Sequence, residues 1–251
     1  MILRAGVFDS GVGGLSVVRS LLAHHLFDEI IYYGDTARVP YGVKDKNTII
    51  RYSLEALEFF KNFEIDVLIC ACNSVSAYAI SELRKSALIP VFGVIEPGAI
   101  ALKNRLLDKD APILILGTRA TVTSGKYQNL LEGFGYNNLS ALAPSLFVPI
   151  VEEGLLDGPV LAQTMDHYFS KVTDEPKAII LGCTHFPLIQ KPIQDYFPNA
   201  MLIHSGEAIV EHLRDSLDFS HKTTQANLKL FASENPEGLK RIASQWLGIN
   251  N

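Results

Sequence analysis

Two short stretches place a thiol where an apolar run stops. Residues 66–80 begin apolar, halt at Cys72, continue with Asn73 and Ser74, and pass directly into a helix-like segment. Residues 177–189 repeat the arrangement, with an apolar run, Gly182, Cys183, Thr184, His185 and then Phe-Pro-Leu-Ile. Short apolar runs bounded in this way are the pattern of parallel strands buried on both faces. Each cysteine therefore sits at the carboxyl end of a strand and the start of a helix. A thiol in that place can act as a nucleophile, a metal ligand, a redox partner or, once ionised, a base.

These chemistries make different demands. A dithiol redox centre calls for Cys-x-x-Cys, whereas this chain has Cys70-Ala71-Cys72. In a strand Cys70 and Cys72 share a face, but Cys70 lies inside the apolar run and reads as a buried core thiol. Cys70, Cys72, Cys183 and His185 form a conceivable four-ligand zinc set, although zinc knuckles usually sit on turns rather than apolar strands. A hydrolase of the Cys–His type uses one thiol and leaves its duplicate unexplained. Proton transfer on two faces of one carbon accounts for both: one thiolate removes a proton and the opposite thiol returns another. A free thiol titrates near ~8.5, so such a site must assist ionisation through helix N-termini or a charged partner. It must also supply donors for the developing charge and exclude water.

The elements that would carry these groups alternate. Residues 2–8, 29–33, the run before Cys72, 89–95, 111–116, the run before Cys183 and 200–204 read as strands, with 227–232 as a short edge strand. Helices are expected over 15–26, 48–63, Asn73 to about 85, 97–107, 124–133, 160–171, the segment ending at 196, 205–217 and 236–247, with a polar turn at 221–224. Alternation of this kind predicts an α/β fold with mostly parallel sheets flanked by helices, and ligands bound beyond the strands' carboxyl ends. The offset between the two thiols and that between Ser10 and Thr118 differ by only three positions. Two pseudo-symmetric domains are therefore expected, one from 1–95 plus 206–251 and one from 96–205, with the site in the cleft between them.

Three further stretches border that cleft. Asp9-Ser10-Gly11-Val12-Gly13-Gly14 lacks the third Gly of a dinucleotide fingerprint, Ser16 standing there, but a Gly-rich turn into a helix still presents N–H groups to an anion. Capping of that helix is the competing role for Asp9 and Ser10. The loop 34–42 ends in Pro40-Tyr41-Gly42 and suits ligand contact through backbone amides and an aromatic lid. Residues 145–154 run apolar and then abruptly acidic; Glu152 and Glu153 cannot share one helix face, so at most one points inward.

The bulk properties remove several function classes. A net charge of −5 with no Lys/Arg run gives no footprint for nucleic acid. No stretch reaches the ~18 apolar residues that span a bilayer, and the first residues enter a strand pattern instead of a signal peptide. A cytoplasmic location is expected, with the three cysteines as free thiols.

Four motifs in order, 6–14 (GVFDSGVGG), 33–42 (YGDTARVPYG), 71–74 (ACNS) and 182–187 (GCTHFP), resemble the signatures of the bacterial glutamate racemases, of the cofactor-independent aspartate/glutamate racemase superfamily. The resemblance covers nearly the whole chain. It implies two α/β domains around the substrate, interconversion of L- and D-glutamate without cofactor or metal, D-glutamate for peptidoglycan, and a homodimer. It further implies that Cys72 acts on D-glutamate and Cys183 on L-glutamate, assisted by Asp9, His185 and Glu152. Asp9, Ser10, Pro40, Tyr41, Gly42, Asn73, Ser74, Thr184 and His185 match substrate-holding positions. Among Thr118, Thr121 and Thr123, Thr121 is the expected contact. Ser74 departs from the family's usual Thr, keeping the hydroxyl and losing a methyl. The chain starts at its first strand, so activation by a cell-wall precursor is not expected. The remaining histidines (24, 25, 167, 204, 212 and 221), together with Trp246, read as structural or surface residues.

Overall fold

A computed structural model describes residues 3–219 and 226–248. The elements are β1 (Arg4–Asp9), α1 (Leu15–Ala23), β2 (Glu29–Gly34), α2 (Lys46–Phe60), β3 (Val67–Cys70), α3 (Asn73–Tyr78), α4 (Ile80–Ser86), β4 (Val91–Gly93) and α5 (Ile95–Arg105). They continue with β5 (Ile113–Gly117), α6 (Arg119–Thr123), α7 (Lys126–Gly133), β6 (Leu139–Leu142), α8 (Phe147–Glu152), α9 (Gly158–Phe169) and β7 (Ala178–Gly182). The chain then forms α10 (Gln190–Tyr196), β8 (Met201–His204), α11 (Ser205–Ser216), β9 (Asn227–Ala232) and α12 (Pro236–Leu247). Single 3₁₀ turns lie at Tyr41–Val43 and Phe186–Ile189.

Two sheets result, ordered β4-β3-β1-β2-β9 and β6-β5-β7-β8, and all their pairings are parallel. The thiol-bearing strands explain themselves. Val-Leu-Ile-Cys of β3 and Ala-Ile-Ile-Leu-Gly of β7 are buried at every position, as a strand covered by helices on both faces requires. Each is also an inner strand, so its carboxyl end opens at the middle of its sheet. The architecture is the α/β, parallel-sheet arrangement that the alternation predicts.

Helix packing joins the two sheets. α11 gives Ile209, Val210 and Leu213 to the core under the first sheet and Ala208 to the core under the second. Trp246 of α12 packs between the first core and the one over the other face of the second sheet. Local signals set several starts: Asp45 caps α2 by accepting from Asn47 and Thr48 N–H at 2.9 and 3.0 Å. Asn235 caps α12 ahead of Pro236.

The structure departs from expectation in several places, among them the helix from Asn73, which breaks at Ala79 into α3 and α4, and α6, which was not expected. The strand over 89–95 shrinks to Val91–Gly93 because α5 already begins at Ile95, with Pro97 tolerated in its first turn. The helix over 48–63 is shifted to Lys46–Phe60 by the Asp45 cap. β6 was not expected, since Leu-Ser-Ala-Leu is an edge strand with no buried residue and carries little apolar signal. The turn at 221–224 and His221 lie outside the described residues.

Candidate active site

Strand ends from both sheets converge on one cavity of about 320 Å³, within the ~300–1,000 Å³ range of small-ligand pockets. From the first sheet come Ser10 after β1, Pro40, Tyr41 and Gly42 after β2, and Cys72, Asn73 and Ser74 after β3. From the second come Thr118 after β5, Glu152 at the end of α8, and Cys183, Thr184 and His185 after β7. Both thiols are free and nearly enclosed, Cys72 at 6 % and Cys183 at 4 % exposure. Cys70 lies in the core behind Cys72, fully buried, and burial raises its thiol pKa. Among the described residues no group of three or more His, Cys, Asp or Glu side chains is disposed to hold a metal ion.

The two thiols have different surroundings. Cys72 Sγ lies 3.5 Å from Ser10 Oγ. Burial pushes its pKa up to about 12, reinforced by the nearby Asp9 carboxylate and opposed by Ser10 and the Val75 N–H. These surroundings favour the protonated form of Cys72. Cys183 Sγ lies 3.8 Å from His185 Nδ1, and His185 Nε2 lies 3.0 Å from Glu152 Oε1. Burial alone would lower the His185 pKa, but hydrogen bonds and charge from Cys183 and Glu152 outweigh it and raise the pKa to about 10. The second thiol thus adjoins an imidazolium anchored from behind by a carboxylate.

Asp9 stands behind this surface. It is completely buried, does not line the cavity, and accepts from Gly11 N–H at 3.0 Å. Burial raises its pKa, against the lowering effect of His185 and of the Gly11 and Gly14 amides. Neither Asp9 nor Ser10 caps α1, whose N-cap is Gly14 with no side-chain cap bond. The Gly-rich turn has a steric role as well. A Cβ at Gly13 would come within 2.3 Å of Thr184 Oγ1 and 2.6 Å of His185 Nδ1, so glycine lets the first sheet's turn reach the second sheet's strand end.

Eleven of the expected site residues line the cavity, and two do not: Asp9, for the reason above, and Thr121. Thr118, not Thr121, faces the cavity. Its Oγ1 caps α6 at Thr121 N–H, 3.3 Å, and bonds Ser74 Oγ across the cleft at 2.9 Å, while Thr121 is buried behind it. The N-cap position turns the first Thr of the segment outward and the fourth residue inward. Sequence reasoning missed Arg119 and the apolar wall of Pro144, Val148 and Pro149. The wall carried no polar signal, although 145–154 had been singled out for its acidic end. Of Glu152 and Glu153, only Glu152 reaches the cavity.

Known proteins are similar to this chain in sequence and in fold. The Asp/Glu/Hydantoin racemase family model matches residues 15–213. The chain is 68% identical over 246 residues to glutamate racemase of Nitratiruptor sp., covering 98% of this chain and 96% of that one. The crystal structure of glutamate racemase from Campylobacter jejuni superposes with a TM-score of 0.97 at 52% identity, covering 99% of this chain and 100% of that one. That of glutamate racemase from Francisella tularensis in complex with D-glutamate gives 0.86 at 29% identity, covering 99% and 94%. Among the described residues no helix is long and apolar enough to cross a membrane. The chain belongs to the Asp/Glu/hydantoin racemase family and stands within it as an amino-acid racemase of the glutamate racemase group.

Proposed function

We propose that this enzyme interconverts L- and D-glutamate by two-base proton transfer between Cys72 and Cys183, with no cofactor and no metal in the reaction. One observation carries the reading: two enclosed thiols, from inner strands of different sheets, line the same cavity. Glutamate as substrate is supported by the relatives, one of them solved with D-glutamate. Polar groups for an amino acid's carboxylates and amine are at hand in Ser10, Asn73, Ser74, Thr118 and Thr184, with the backbone of Tyr41 and Gly42.

In the L-to-D direction Cys183 thiolate takes the C2 proton and Cys72 thiol delivers its own to the opposite face. The reverse reaction exchanges the roles, so Cys72 acts on D-glutamate. After one turnover the two thiols have swapped protonation states. Before the next turnover Cys183 gives up the proton it has gained and Cys72 regains one, both by exchange with solvent. The His185 imidazolium, its Nδ1 beside the sulfur and its Nε2 held by Glu152, supplies a positive charge next to the Cys183 thiolate. Asp9 acts at one remove. Burial favours the protonated Cys72 thiol and the Asp9 charge beside it adds to that, while a substrate ammonium bound nearby would offset the Asp9 contribution. Buried surroundings strengthen these interactions by keeping water out.

D-glutamate made here would serve peptidoglycan synthesis, and a cytoplasmic homodimer belongs to the same reading; sedimentation of the purified protein tests the dimer. The test of the activity is circular dichroism on a panel of L- and D-amino acids with metal- and cofactor-stripped protein. Loss of optical rotation from both glutamate enantiomers is expected. Turnover of aspartate in preference to glutamate, or none of either, would overturn the assignment.

A further inference from the structure

We infer that Tyr127 is a positioning residue that fixes the separation of the two thiol-bearing strand ends. The inference rests on the two-thiol reading above. Tyr127 projects from α7 and is 1 % exposed. Its hydroxyl donates to Asn73 Oδ1 at 2.9 Å, and Asn73 directly follows Cys72. Its ring abuts Gly182, which directly precedes Cys183: a Cβ at Gly182 would lie 3.1 Å from Tyr127 Cε2. One rigid aromatic side chain thus spans from the backbone before one thiol to the side chain after the other.

Its surroundings hold it there. A Cβ at Gly98 of α5 would lie 3.1 Å from the Tyr127 hydroxyl, so the glycine provides the slot through which the phenol reaches. The Asn73 amide is fixed at its other end as well, Nδ2 donating to Ser205 Oγ at 3.2 Å. Asn73, Tyr127 and Ser205 come from α3, α7 and α11, so the bonds cross from one sheet's helices to the other's. A tyrosine has only two side-chain torsions and little freedom to yield. Proton transfer between fixed groups falls steeply with misplacement, by about a hundredfold for 1 Å.

Tyr127→Phe removes the hydroxyl and keeps the ring. Tyr136→Phe is the matched control: Tyr136 is equally buried and donates to Leu106 O, outside the cavity lining. The expected result is kcat lowered about tenfold in both directions by Tyr127→Phe with KM within twofold, while Tyr136→Phe keeps wild-type kcat, the two variants having similar Tm. Gly98→Ala, which crowds the hydroxyl from outside the cavity, lowers kcat in the same sense and carries the test should Tyr127→Phe not fold. Equal kcat for both Tyr variants would overturn the inference, and so would a raised KM with kcat intact, which would leave Tyr127 as a mere orienter of a substrate-holding amide. Cys72→Ala and Cys183→Ala in parallel separate the two readings. If either racemises, the two-thiol account fails; if both are inactive and Tyr127→Phe matches the control, only the role of Tyr127 fails.

Discussion

Glu152→Gln is the sharpest probe of how the second thiol is served. The substitution keeps an oxygen to accept from His185 Nε2, 3.0 Å away, and removes the negative charge. His185 is buried, yet its pKa rises from 6.5 to about 10, so Cys183 and Glu152 together outweigh the burial penalty by several pH units. Each unit corresponds to about 1.4 kcal/mol. Glu152 supplies one of the two raising influences, and its side chain is 38% exposed, so solvent screens its charge. After that discount about 1–2 kcal/mol remains, or roughly tenfold in rate and about one unit in the basic limb of the pH profile. Enantiomers have equal free energies, so any variant must lower kcat/KM equally in both directions; only kcat and KM separately can become unequal. Initial rates by circular dichroism from pH 6 to 10 are the assay. A fall of about tenfold with the basic limb displaced to lower pH is expected. An unchanged pH profile, whatever the rate, would show that Glu152 does not act through His185.

Further outcomes follow from the same geometry. His185 has a folded pKa above its unfolded value of 6.5, so its contribution to stability is complete below pH 6.5 and is lost as pH rises through about 10; the Tm of wild type should fall over that window more than that of Glu152→Gln. Thr118→Val should raise KM severalfold, through loss of the hydroxyl that meets Ser74 at 2.9 Å, whereas Thr121→Val should change it less; the opposite order would return the substrate contact to Thr121. Arg119 lines the cavity without an ion pair or hydrogen bond among the described residues. Arg119→Gln should therefore raise KM for anionic glutamate at low salt and lose that effect near 0.5 M salt, where screening shortens to about 4 Å; a salt-independent KM change would rule out a charge effect.

What could be read from the sequence divides along physical lines. Inner parallel strands are legible because burial on both faces leaves an unbroken apolar run, as in β3 and β7. Edge strand β6 was illegible for the converse reason. The thiols stand out because reactive residues at strand ends carry their own signal, whereas Asn73, Thr184 and His185 enter the site through the motif resemblance. Motif membership could not tell a group facing the cavity from one behind it. Asp9 occupies the last position of β1 and turns inward beneath Gly14, whose missing Cβ leaves the room, 2.5 Å from Asp9 Cβ. Thr118, Thr121 and Thr123 place three hydroxyls in one segment, and only the cap geometry at Thr118 distinguishes them. The apolar wall around Val148 depends on where α8 docks, which no local pattern encodes.

The central claim is that two thiols act on opposite faces of one carbon. Racemisation of L-glutamate in D₂O by metal-stripped enzyme, followed by mass spectrometry of each separated enantiomer at low conversion, tests it most directly. A pair of monoprotic bases predicts D-glutamate carrying one deuterium at C2, from the solvent-exchanged Cys72 thiol, while unreacted L-glutamate stays unlabelled. Early D-glutamate that retains the substrate's own hydrogen would mean that a single group carries the proton across, and would contradict the account.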